Sequence, residues 1–250
     1  MKIQKLTFVA ALFVAGTLVT AVAQKADQKW TEWSKKDAQK ILDDSPWSQT
    51  QTDTDTSQMF YSPTQDPQRM GTTSNDSSRL SQGATNQAVN VKYTVRFFSA
   101  RPVREALIRM MLLAQQPPPD VLARLTKFAE TKPDQLGIIV TVSVKGGDGA
   151  DSRSVNPVMQ AFNSAAVGTL KNNVYLERPD GKREFLEEYY PPDKEGFGAR
   201  FIFLRYPDEK PFLDASTHEV RFHAEYPGTS IKIDRRFKLA DMMFQGQLEY

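Results

Sequence analysis

Regular apolar periodicity from Val89 to the C-terminus, with alternation of apolar and polar residues in several runs, is the feature that most limits what this chain can fold into. Val91, Tyr93, Val95 and Phe97 alternate with Lys92, Thr94 and Arg96, and Val220, Phe222, Ala224 and Tyr226 alternate with Glu219, Arg221, His223 and Glu225. Successive side chains of a strand point to opposite faces, so each run predicts a half-buried β-strand. Residues 136–144 form a near-continuous apolar run and predict a central strand. The runs 174–178 and 183–189 flank Pro179-Asp180-Gly181, a turn signal. Residues 201–206 are apolar on both faces. After a turn at 227–230, Ile231, Ile233, Phe237 and Leu239 continue a buried face that Arg235 interrupts.

Helical periodicity is interleaved with these strands. Pro102 suits the first turn of a helix running through Gln115, with Val103, Ala106, Leu107, Met110, Met111 and Leu113 on its apolar face. Pro117 to Pro119 end it, and a second helix over 120–130 carries Val121, Leu122, Leu125 and Phe128. Asn156-Pro157 opens a third helix that Gly168 is placed to close. The expected fold is α+β: a mostly antiparallel sheet with helices packed on one face, preceded by a short N-terminal helix and a polar linker.

Residues 1–23 have the form of a cleavable export signal. Lys2 and Lys5 precede an uncharged apolar run, and Ala21 and Ala23 are the small residues a signal peptidase reads, which places cleavage before Gln24. The run contains Thr7, Gly16, Thr17 and Thr20 and falls short of the ~20 apolar residues of a spanning helix. A periplasmic or secreted location follows, with no stable membrane insertion after cleavage. In residues 24–47, Ser34 is placed to N-cap a helix with Asp37 three residues on, and Trp33 and Ala38 have hydrophobic-staple spacing. Residues 48–88 are rich in Ser, Thr, Gln, Asp, Asn and Gly and predict a polar linker or long loop. Residues 89–250 make up the globular domain.

The chain has no cysteine, which removes disulfides, thiol catalysis, thiolate metal sites and a lipid-modified cysteine. Burial alone stabilises it, and a chain of this length can bury roughly 70% of its unfolded surface. Of 32 Lys plus Arg, Lys2 and Lys5 leave with the signal, so the exported chain balances its 30 Asp plus Glu. Net charge therefore attracts neither nucleic acid nor an anionic membrane.

No catalytic set emerges. His218-Glu219-Val220-Arg221-Phe222-His223 resembles the zinc-protease pattern with one residue too many. On a strand that spacing sends the two imidazoles to opposite faces, and His223 is expected on a solvated one. The loop beginning Asp53-Thr54-Asp55 has Gln58 and Thr64 where a calcium loop needs glycine and glutamate. Gly146-Gly147-Asp148-Gly149-Ala150-Asp151 has the oxygen atoms for a weak cation site but reads first as a flexible hairpin tip, and no Walker lysine or Gly-x-Ser-x-Gly elbow is present. Glu187 and Glu188 are adjacent on a strand and point apart, whereas Glu177 and Glu184 can approach each other across a hairpin. Arg96, Arg101, Arg104 and Arg109 lie near Ser99, where a helix N-terminus can hold an anion; against that, the neutral net charge and the expected exposure of Arg104 and Glu105 favour a solvated face. No cofactor or metal is expected.

All three tryptophans, Trp30, Trp33 and Trp47, fall in the short N-terminal segment. Together with Ile41 and Leu42 they make an apolar surface too large to stay bare, so it docks either on the chain's own domain or on a partner. Here the run Trp33-Ser34-Lys35-Lys36-Asp37-Ala38, continuing through Ile41-Leu42-Asp43-Asp44-Ser45-Pro46-Trp47, resembles uncharacterised exported proteins of Gram-negative bacteria in which a similar segment precedes an α+β domain. The closing Phe244-Gln245-Gly246-Gln247-Leu248-Glu249-Tyr250 fits the same resemblance. It implies an envelope location, with no activity and no functional residue attached. The expected function is a non-catalytic binding or assembly module whose partner is another envelope protein. The alternative is a metal-independent hydrolase of envelope or extracellular glycans that uses paired carboxylates.

Overall fold

The computed structural model describes residues 28–55, 89–131, 137–147, 152–193 and 196–250. The expected export signal, with Ala21, Ala23 and Gln24, lies outside the described residues, as does 56–88 of the expected linker. The fold is α+β, and among the described residues every strand pair is antiparallel. Its strands divide between a five-stranded sheet, a four-stranded sheet and a two-stranded ribbon.

The first element after a 3₁₀ turn at Trp30–Glu32 is α1, Lys35–Asp43. Its cap forms as the sequence predicts: Ser34 Oγ accepts the Asp37 N–H at 3.2 Å. The expected linker is overturned at its start, because Ser48–Asp55 is a strand, β1, paired along its length with β2, Val89–Phe97. β1 contains no apolar residue, so nothing in it signals burial. Its inward amides instead bond the main chain of a distant strand. Gln51 Nε2 donates to Lys232 O at 2.8 Å and its Oε1 accepts the Asp234 N–H at 2.8 Å, while Gln49 Nε2 donates to Arg236 O at 2.9 Å.

The five-stranded sheet continues through β3, Ile138–Gly146, in the order β1-β2-β3-β7-β6, where β6 is Glu188–Tyr190 and β7 is Ala199–Phe203. The four-stranded sheet has the order β5-β4-β8-β9, with β4 Val174–Glu177, β5 Arg183–Phe185, β8 Glu219–Glu225 and β9 Lys232–Lys238. The apolar residues of β8 face the larger sheet: Phe222 meets Phe201 and Phe203 with ring centroids 5.4 and 6.3 Å apart, and Phe97 meets Phe237 at 4.8 Å. The single strand expected over 183–189 is split. The hairpin turns at Gly181, whose φ is +81°, and β5 ends at Phe185. Leu186 is buried, and the chain crosses to the other sheet as β6.

Helices α2, Arg101–Ala114, and α3, Pro119–Ala129, begin and end close to their predicted bounds, and α1 packs on α2. α4, Ser152–Ser164, starts before Pro157 rather than at it, and Gly168 lies inside a short α5, Val167–Leu170, rather than closing α4. Pro157 sits early in α4, where its missing N–H removes one bond near the helix start. Phe162 of α4 stacks on Tyr226 at 4.8 Å, and Tyr189 Oη donates to the Phe162 carbonyl at 2.7 Å.

Gly198 leads into β7 with φ +78°, and a Cβ there would lie 2.2 Å from the Val142 carbonyl oxygen. Left-handed strain and collision with a main-chain atom add up, so Gly198→Ala is expected to cost about 2–5 kcal/mol in urea-unfolding stability. A cost within experimental error would show that β7 does not approach β3 this closely.

Candidate functional site

The sequence leaves the docking place of the tryptophan surface open. Trp33 and Trp47 are each 1% exposed and Trp30 is 7% exposed, and all three belong to the main core with Leu42, while Ile41 packs against it. Trp47 Nε1 donates to the Glu249 carbonyl at 2.8 Å, and its ring meets the edge of Phe244 at 6.2 Å. Arg109 Nε donates to the Trp33 carbonyl at 2.7 Å. The rings are thus covered by α2 and by the ribbon formed by β10, Met243–Phe244, and β11, Gln247–Leu248. Self-docking accounts for all of them and leaves no indole face for a partner.

Beneath this contact lies a charge cluster that the sequence places wrongly. Arg104 is 0% exposed and Glu105 is 1% exposed, where ordinary surface helix residues are expected. The Arg104 guanidinium donates to the carbonyls of Phe128, Ser99 and Thr131. Two of these acceptors lie at or just beyond the end of α3, where carbonyls lack helical partners. Arg101 Nε donates to Glu105 at 2.7 Å, and its N–H donates to Glu249 Oε2 at 3.0 Å. The group held at this helix N-terminus is therefore the carboxyl of the chain's own Glu249. Ser99 Oγ is also engaged, accepting the Ile139 N–H at 3.0 Å. Burial pushes the Glu105 carboxyl up to about 7 against the opposing pull of Arg101 and Arg104, and burial also raises Glu249.

The outward face of the four-stranded sheet carries the second cluster. Arg221 Nε bonds both Asp234 oxygens at 2.9 and 3.0 Å, and Arg221 Nη1 reaches Glu177 at 2.9 Å. His223, expected in solvent, is 6% exposed. Its ring stacks on Tyr175 at 4.8 Å and its Nδ1 lies 3.2 Å from Asp234. Cross-strand neighbours cover it, because Tyr175 stands directly opposite on β4 and Asp234 on β9. Among the described residues no group of three potential ligands could hold a metal ion. Arg183 and Arg221 hold Glu177 below the usual carboxylate range. Glu177 pairs with Arg183, whereas Glu184 sits one position along β5 on the buried face, so the two glutamates do not converge.

An open cleft of about 470 Å³ is lined by Asp43, Asp44, Gln49, Arg235 and Asp241, among others. Asp43 is occupied by Arg96 at 3.2 Å and by Gln39 at 2.6 Å, while Asp44 and Asp241 are exposed to water. Finally, α3 keeps only Ala129 buried. Leu122 remains 39% exposed, Phe128 36%, and Leu113 near the end of α2 43%. The periodicity identifies this apolar face, but nothing local reveals that the domain leaves it partly bare. Comparison with protein-family models, with curated proteins and with solved structures finds no match to this chain.

Proposed function

We propose that the protein is exported to the bacterial envelope and acts there by binding another protein, without catalysing a reaction. The observation that carries this reading is the exposure of the large apolar side chains Leu122 and Phe128 on α3 and Leu113 near the end of α2. Apolar side chains that a helix leaves exposed fit an apolar groove on a partner. The organisation of the carboxylates supports it too, since Glu177, Asp234 and Asp43 are each engaged by arginine. No helix among the described residues is long and apolar enough to cross a membrane.

Photo-crosslinking in intact cells tests this. A crosslinker at Leu122 is expected to give one discrete adduct that Phe128→Asp abolishes, and the same group at Arg124, whose side chain is 75% exposed, is expected to give none. The exported protein is expected to begin at Gln24. Equal adducts from both positions would contradict the binding surface. Release of sugars from purified envelope glycans, lost on Asp44→Asn or Asp241→Asn, would replace it with the hydrolase reading.

A further inference from the structure

The eight-residue strand β1 lies at the edge of the five-stranded sheet. Phe97 N–H donates to Trp47 O at 2.9 Å, and this fixes the phase of the β1–β2 ladder. Gln49, Gln51 and Asp53 stand opposite Val95, Tyr93 and Val91 in the same phase, so they exchange the ladder bonds. The main-chain groups of Ser48, Thr50, Thr52 and Thr54 consequently point away from the sheet. Ser48 is satisfied by Ser45, through bonds of 2.9 and 3.1 Å. Thr50, Thr52 and Thr54 are exposed, and their outward N–H and C=O groups meet no partner among the described residues.

The other sheet edges differ. β5 and β6 are three residues long, and β9 is closed by Gln49 and Gln51. Natural edges are blunted by short length, proline, lysine or bulges, and β1 has no proline or lysine and pairs with β2 without a bulge.

We propose that β1 is a self-association edge, at which two copies of this chain pair antiparallel and join their five-stranded sheets into one. The occupant follows from the pattern of free groups. Outward-pointing residues must face outward-pointing residues, which restricts the register to steps of two. Only the register centred on Thr52 uses all three threonines: Thr52 of one protomer faces Thr52 of its partner, and Thr50 faces Thr54 in both directions. That arrangement is two-fold symmetric, as an isologous interface requires. It sets threonine against threonine on one face and Asp53 against Gln51 on the other, so no like charges oppose each other. It uses a different surface from α3 and stands independently of the proposed function.

Sedimentation of the purified protein over a range of concentrations is expected to show a monomer–dimer equilibrium, and Thr52→Pro is expected to leave only monomer. Proline is tolerated at an edge position whose N–H points outward, so that variant keeps the β1–β2 ladder. Because the chain has no cysteine, a single introduced thiol reports geometry. Thr52→Cys is expected to form an intermolecular disulfide at least about tenfold faster than Thr50→Cys, since only the former meets its own copy across the axis. A monomer at every concentration, a dimer that survives Thr52→Pro, or equal disulfide rates would each overturn the proposal.

Discussion

Replacing Trp47 by alanine is expected to destabilise the protein by about 3–5 kcal/mol in urea unfolding, the range for deleting a large buried aromatic. The ring is 1% exposed, it packs edge-on against Phe244, and its indole N–H satisfies the Glu249 carbonyl. Alanine empties the space and leaves that carbonyl without its donor. Trp47→Phe refills much of the volume but not the hydrogen bond, so its cost should fall to roughly 1–3 kcal/mol. The two variants separate packing from polar satisfaction. A Trp47→Ala protein as stable as the parent would mean that these rings serve some purpose other than holding the fold together.

Stability should also fall as pH rises through neutrality, opposite to the behaviour of a protein dominated by salt-bridged carboxylates. Burial outweighs Arg101 and Arg104 and holds the Glu105 carboxyl at about 7 in the folded protein, whereas an unfolded glutamate titrates near ~4.3. A folded-state value above the unfolded one means that folding favours the protonated form. The resulting stabilisation is complete below the unfolded value and is lost as pH climbs through about 7. Between pH ~5 and ~8 the loss should be about 2 kcal/mol. Glu249 is shifted in the same direction by the same cause, so it adds to the trend. Asp234 and Glu177 are shifted the other way and act only in the acidic range below it. Glu105→Gln, neutral throughout, should flatten the profile and narrow the difference between the two ends. Stability that rises steadily from pH ~5 to ~8 would rule out the buried protonated glutamate.

What was legible in the sequence was whatever depends on neighbours in the chain. The alternation of Val220, Phe222 and Ala224 located β8, Ser34 with Asp37 located the start of α1, and Pro117 to Pro119 located the break between α2 and α3. Features created by distant chain segments were not legible. β1 is written in Ser, Gln, Thr and Asp, and its inward glutamines are satisfied by β9, with Gln51 and Asp234 separated by 183 positions. Arg104 is charged and helical, which predicts exposure, yet its guanidinium closes the end of α3 and is buried for that reason. His223 alternates with buried residues as a surface residue should, but Tyr175 and Asp234 arrive from neighbouring strands to cover it. The four-residue spacing of Arg101 and Glu105 was the one local hint of their contact on α2.

Intrinsic fluorescence is the most direct measurement, because the chain's three tryptophans all lie in the N-terminal segment and report on nothing else. With every indole in the common core, emission should be blue-shifted and poorly quenched by acrylamide, and its urea transition should coincide with that of far-UV circular dichroism. Red-shifted emission quenched as readily as free indole, or a fluorescence transition preceding the loss of secondary structure, would contradict a single core shared by the N-terminal segment and the rest of the fold.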